Sequence, residues 1–412
     1  MKSNPGDGAR YVYRDGQRFD TRLAETVVKT QGFVYDEEIK PQNFFAKLGM
    51  CCFRKSVADY TKLNARAAQS ASSPDNDFCA DSLVKLTNGV TAYRLTEPAT
   101  TTNENADLLP VVVCLHDFTN SSYMWADAVD LLADCDQGPQ ARVLVLDFYG
   151  RGRSPWTGVP CSLEVFVLQV KELLDCEFRR SSRASDIIYE LLAHFLFPLP
   201  HPVLGLSRAP VQLIGQGMGC VVATGFAAKY PSLAASMTLI SPMGISYMEI
   251  ENERRLKMKY VGEYYWSTAK RNILVEGEVF FYDTSAEAPH RYHIDKQIAM
   301  VQWQMENTPG YLGALLSSIR TFPLRSMEEL YAAVGRHPRS VLIILGDQDV
   351  VTEYTGVTSS MEACFEKGTI VDIRDAGHNP VAEKFNETML EILSFAKEVV
   401  YQRNSRQDEE KF

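Results

Sequence analysis

From residue 82 onward, short apolar runs alternate with longer amphipathic stretches. Residues 110–115 (PVVVCL), 142–146 (RVLVL), 211–214 (VQLI), 237–240 (MTLI), 341–345 (VLIIL) and 369–373 (TIVDI) are rich in β-branched residues and bounded by turn formers. Each run is too short for a helix and apolar on both faces, so each predicts a fully buried strand. Residues 82–95 predict a hairpin turning at Asn88-Gly89. Helical periodicity fills the gaps, at about 123–134, 163–178, 184–197, 219–229 and 381–401. Strands alternating with helices predict an α/β fold, a mostly parallel, doubly wound sheet covered on both faces.

Two regions break the alternation. Residues 245–338 are rich in Tyr, Trp and Met and helical in pattern. Placed between two sheet strands, they predict a helical lid over the carboxyl ends of the strands. Residues 1–80 are polar and charge-mixed, without strand-like runs. Within them a short helix is expected from Asp20 to Gly32, and a Ser/Ala/Asp-rich linker spans 66–81. The expected organisation is therefore an N-terminal extension and linker (1–80), a first core part (81–244), the lid (245–338), a second core part (339–401) and a charged tail (402–412).

Composition narrows the function classes. A formal net charge of −10 argues against nucleic acid as a partner. The chain has no apolar run of the ~18 residues that a membrane span needs. Residues 1–10 have no apolar signal core, and the nine cysteines form no CxxC pair, so reduced thiols and a cytoplasmic location are expected. The adjacent Cys51 and Cys52 offer a palmitoylation site, but are read first as an ordinary thiol pair. Seven aromatic residues between Tyr11 and Phe45 are many for a free tail. The N-terminal extension and the lid are accordingly expected to contact protein partners, in a large assembly or on the cytoskeleton. No cofactor is called for. His290-x-x-His293 is read as incidental rather than as a metal site.

The chemistry-bearing segment is Gly215-Gln216-Gly217-Met218-Gly219, between a strand and a helix. It has the form of a G-x-S-x-G nucleophile elbow with glycine at the serine position. Gly215 and Gly219 are needed where helix and strand cross closely. Gly217 tolerates the strained corner but leaves no Oγ for an acyl-enzyme. Other motifs follow in order: His116-Asp117, then Asp147-Phe148-Tyr149-Gly150-Arg151-Gly152-Arg153-Ser154, Gly346-Asp347-Gln348-Asp349 and Ala376-Gly377-His378.

Together these resemble the α/β-hydrolase superfamily, of the lidded lipase, esterase and epoxide-hydrolase type, over residues 82–401. The resemblance implies that Asp349 orients His378 as general base, and that the Phe118 and Met218 N–H groups form an oxyanion hole. Gln216, Cys220 and Asp117 depart from the family pattern. Asp117 replaces a glycine and puts a carboxylate near that hole. Cys220 reads as a buried inert thiol. The Asp349–His378 pair is either a working dyad or an inherited bond between two loops. Tyr260, Tyr264, Tyr265, Trp266 and Trp303 line a pocket for an apolar small molecule or form the lid's own core. The expected function is a pseudoenzyme, a structural or protein-interaction subunit. The alternatives are a serine-independent His/Asp enzyme on an apolar small molecule, and an esterase or lipase inactivated by a serine-to-glycine change.

Overall fold

The computed structural model describes residues 11–14, 17–20, 80–101, 109–134, 140–176, 210–245, 253–268, 281–283 and 291–409. The helix expected at 20–32, that at 184–197, the Cys51-Cys52 pair and His290 lie outside or largely outside these residues. The strands are β1 (Tyr11–Arg14), β2 (Gln17–Asp20), β3 (Ser82–Leu86), β4 (Gly89–Thr96), β5 (Val111–Leu115), β6 (Arg142–Leu146), β7 (Val211–Gln216), β8 (Ala234–Ile240), β9 (Ser340–Gly346) and β10 (Thr369–Ile373). The helices are α1 (Val129–Ala133), α2 (Leu163–Asp175), α3 (Met218–Lys229), α4 (Glu253–Lys257), α5 (Val261–Thr268), α6 (Arg291–Asn307), α7 (Tyr311–Thr321), α8 (Glu328–Gly335), α9 (Tyr354–Cys364), α10 (Pro380–Glu383) and α11 (Phe385–Glu409).

Eight strands form one sheet in the order β10-β9-β8-β7-β5-β6-β4-β3. The pairs from β10 to β6 are parallel, and β4 pairs antiparallel with both β6 and β3. Alternate residues of β5 enter opposite cores, which is why its whole sequence is apolar. Val111, Val113 and Leu115 join the core under α2, α3 and α8, whereas Val112 and Cys114 join the core under α1 and α11. Helix α3 is buried all round from Met218 to Ala228, since it is wedged between the sheet, α2 and α8.

Several expectations need correction. Residues 11–14 and 17–20 pair as antiparallel strands, so the first 80 residues do contain strand-forming runs. Their flanking Asp15-Gly16 was a readable hairpin signal. The hairpin expected at Asn88-Gly89 turns through Thr87 and Asn88, because Gly89 already pairs with Leu86. The stretch 123–134 holds a 3₁₀ turn at Ser122–Trp125 and then α1 rather than one helix. Strand β10 is not fully buried: at the sheet edge, Thr369 and Asp372 face outward. The stretch 381–401 divides at Lys384, and α11 continues to Glu409, into the expected tail. Helix α9 was not anticipated. Its Thr- and Ser-rich sequence has weak helix propensity, and packing of Val357 and Met361, one turn apart, holds it.

The tightest packing lies at the strand-to-helix corner. A Cβ on Gly219 would lie 2.3 Å from the Leu115 carbonyl oxygen, and one on Gly215 would lie 2.5 Å from the Gly219 carbonyl. Backbone can yield there only by parting α3 from the sheet. Gly219→Ala is expected to cost ~1–3 kcal/mol, read as a lower urea midpoint with unchanged slope.

Candidate functional site

The corner between β7 and α3 places Gly217 at φ 53 and ψ −113, backbone that favours glycine. Its N–H donates to the Ile240 carbonyl. A Cβ there would lie 1.9 Å from Asp117 Oδ1. The space that a side chain at the corner would occupy is filled by the carboxylate of Asp117.

Asp117 follows β5 and is 2 % exposed. Its Oδ1 accepts two backbone N–H bonds, from Phe118 at 2.6 Å and from Met218 at 2.8 Å. Met218 opens α3, so the helix dipole adds to the attraction for an anion. The two N–H groups singled out in the sequence thus converge on one point, and an oxygen of the protein itself sits there. The sequence placed Asp117 only near this point. Its side chain turns inward because Gly217 leaves room.

The other oxygen, Asp117 Oδ2, lies 3.4 Å from His378 Nε2, while His378 Nδ1 lies 2.8 Å from Asp349 Oδ2. The fully buried imidazole is therefore held between two carboxylates. Burial favours its neutral form, but Asp349 and then Asp117 override this, and its pKa is pushed up to about 10. Burial likewise opposes ionisation of Asp117 and Asp349, yet pairing with His378 holds both below the usual carboxylate range. Asp349 is fixed further by the N–H groups of Val351 and Thr352 and by the Thr352 hydroxyl. These shifts, upward for the imidazole and downward for both acids, favour the arrangement carboxylate–imidazolium–carboxylate. Gln216 Nε2 donates to the His378 carbonyl at 3.3 Å.

The remaining motif residues hold loops. The His116 Nε2 accepts the Phe148 N–H, so its Nδ1 carries the proton and donates to the Asp117 carbonyl. Burial pushes His116 down to about 3, which keeps it neutral. Asp147 accepts the N–H groups of Ser122 and Arg153, and burial raises it to about 6. The buried Arg151 donates to the carbonyls of Phe118 and Tyr149 and to the Ser318 hydroxyl. Glu383 was missed in the sequence. It accepts the N–H groups of Gly377 and Tyr282, and burial raises it to about 7. A carboxylate at the fourth position of an apolar helix start (PVAE), five residues past His378, was the available signal.

Helices α6 and α7 close over these loops. Gln304 receives the Gly152 N–H and donates to the Thr119 carbonyl, and the Tyr311 hydroxyl donates to that same carbonyl at 2.8 Å. Asn379, next to His378, donates to Gln297 of α6. A Cβ on Gly150 would lie 2.1 Å from that of Ala314, so α7 rests directly on the loop after β6.

The structure brings together Gly215, Gly217, Gly219, Phe118, Met218, Asp349 and His378. It does not bring Cys220 to them as a reactive group: its buried thiol faces the Gly215 and Ile240 carbonyls, and burial drives its pKa far up. His293 pairs with Asp127 at 3.0 Å and stacks on Phe385. Among the described residues, no group of three His, Cys, Asp or Glu is arranged to hold a metal. Tyr260 and Tyr264 point outward. Trp266 packs on the main core and donates to the Leu312 carbonyl, and Trp303 packs beside Tyr123 and Met300. The side chain of Tyr265 lies outside the described residues.

Because the His378 pKa is raised, its ion pairs stabilise the fold fully below the ordinary imidazole value of 6.5, and that contribution falls as pH rises toward about 10. Nitrogen NMR of the ring is expected to show both N–H protons at neutral pH, with loss centred near the upper value. Asp117→Asn removes one of the raising partners and is expected to move that midpoint downward.

The sequence profile described as alpha/beta hydrolase fold matches residues 110–385. Among solved structures, this chain is similar to a thermophilic esterase from Thermogutta terrifontis, at 21% identity and a TM-score of 0.54, covering 77% of this chain and 99% of that one. It is also similar to the enol-lactonase from Burkholderia xenovorans LB400, at 15% identity and a TM-score of 0.54, covering 76% and 99%. The esterase EaEST from Exiguobacterium antarcticum matches at 13% identity and a TM-score of 0.54, covering 77% and 99%. At these identities the structural likeness establishes the fold alone. The profile match spans well over half of the sequence, and the chain belongs to the α/β-hydrolase fold family.

Proposed function

We propose that this chain is a catalytically silent member of its family, retained as a structural or interaction module whose role is carried by its surface. The observation that carries this is the position of Asp117 Oδ1 on the Phe118 and Met218 N–H groups. In acyl transfer those donors stabilise the oxygen that becomes negative in the transition state. Here they are spent on a permanent anion, which would also repel a second one. Vacating the position means separating a buried carboxylate from its imidazolium, at ~3–5 kcal/mol. The protonated His378 is no base at neutral pH, and Gly217 supplies no nucleophile. The two substitutions fit each other: the Asp117 side chain is accommodated only because position 217 has none.

One observation favours a second reading. Asp117 Oδ2 faces His378, so the carboxylate could itself attack an electrophilic alkyl carbon, forming an ester as halide or epoxide oxygen departs. That ester would lack the charge holding His378 protonated. The imidazolium proton passes to the opened epoxide oxygen, or to solvent as halide leaves; the neutral imidazole then takes a proton from water, which attacks the ester carbonyl, and returns it to the departing alcohol oxygen, regenerating Asp117. Both carboxylate oxygens are engaged and the groups are buried, which favours the first reading.

Short p-nitrophenyl esters separate the cases. The native chain is expected to show background rates only. Gly217→Ser alone is expected to give no rescue and a less stable protein, because its Cβ meets Asp117. Asp117→Gly combined with Gly217→Ser empties the double-donor position and restores a hydroxyl beside His378. Ester turnover about 100-fold above the native chain is expected for that pair. Native ester turnover lost in His378→Ala would overturn the silent reading. Turnover of a small alkyl halide or epoxide, lost in Asp117→Asn, would replace it with the second.

A further inference from the structure

Helices α4 and α5, with the turn between them, form the most basic and apolar exposed stretch among the described residues. Arg254, Arg255, Lys257 and Lys259 are exposed within residues 254–264, on a chain whose net charge is −10. Between and beside them, Met258 is 50% exposed, Tyr260 52%, Val261 42% and Tyr264 75%. Of the two acids in these helices, Glu263 is turned inward onto Arg320, and Glu253 stands at the first position of α4. The outward face therefore combines positive charge with large apolar side chains.

The stretch is held rigidly from beneath. Arg320 of α7 donates to the Leu256 and Met258 carbonyls as well as to Glu263. A Cβ on Gly262 would lie 2.3 Å from the Leu256 carbonyl oxygen, so the two helices cross in close contact. Leu256 anchors the pair in the main core. At the turn, Tyr260 adopts φ 67, strained for a residue with a side chain. This support fixes a turn bearing the exposed Met258, Tyr260 and Val261.

We infer that this turn docks onto an anionic lipid bilayer surface, with the apolar residues entering the headgroup boundary and the four basic residues pairing with lipid charge. Charge complementarity demands an anionic partner. The two lysines at the centre of the turn, Lys257 and Lys259, favour lipid over protein, because lysine, unlike arginine, tyrosine and methionine, is depleted at protein–protein contacts. At a bilayer, in contrast, lysine stems lie along the apolar boundary while their ammonium groups stay at the phosphates. Tyrosine is favoured at that same depth. No helix of the described residues is long and apolar enough to cross a membrane. The inference stands independently of whether the buried site turns over.

The test is co-flotation of the full chain with phosphatidylcholine vesicles containing or lacking about 30 mol % phosphatidylserine. Binding is expected only with the anionic lipid, and it should weaken as salt is raised. Lys257→Glu with Lys259→Glu is expected to lower vesicle affinity at least about tenfold. Met258→Ser with Val261→Ser should do the same while leaving charge attraction in place. All four positions are exposed, and unchanged thermal melting would show that the variants fold. No binding to anionic vesicles, or binding that both double variants leave intact, would overturn the inference. Retention only by an acidic protein partner would overturn it as well.

Discussion

The Asp117 carboxylate lies between two backbone donors and a buried imidazolium, and the geometry of the surrounding loops follows from that arrangement. One oxygen takes the N–H groups of Phe118 and Met218, and the other faces His378. These contacts join the end of β5, the start of α3 and the loop after β10. A charge so deeply placed is tolerated only because every partner is present at once. The empty corner at Gly217 is the condition for it, since any Cβ there would overlap the carboxylate.

Around this centre, the motif residues act mainly on backbone. Asp147 gathers the N–H groups of two loops, His116 bridges the β5 and β6 ends, and Arg151 caps the carbonyls of Phe118 and Tyr149. Glu383 ties the His378 loop to Tyr282. None of these bonds needs a nucleophile. That accounts for how the motif set can persist in a chain whose elbow carries no hydroxyl: the loops would lose their hydrogen bonds without it. Helices α6 and α7 add buried polar bonds from Gln304 and Tyr311 to the same loops. These couple the segment between β8 and β9 to the core rather than leaving it a loosely resting cover.

The surface divides differently from the interior. Among the described residues of this acidic chain, exposed basic and apolar residues gather on the turn between α4 and α5, held by Arg320 beneath it. A buried, electrostatically saturated site thus contrasts with an exposed basic turn on the surface.

Much of the fold was legible in the sequence, because buried parallel strands need continuous apolar runs and close strand–helix crossings need glycine. The six runs, the elbow glycines and the order of the motifs therefore announced the sheet and the residues gathered at its carboxyl ends. Edge position, which left β10 half exposed, was not legible, since it depends on strand order. Nor was α9, whose helix rests on two tertiary contacts rather than on propensity. At the site, the sequence determined that position 217 has no side chain and that position 117 has a carboxylate. It could not say that these two facts are one, because the positions are a hundred residues apart and a side chain's direction is set by the space left to it. Only the tertiary structure turned Asp117 inward onto both N–H groups and made His378 a buried cation, because burial lets nearby charges dominate its protonation.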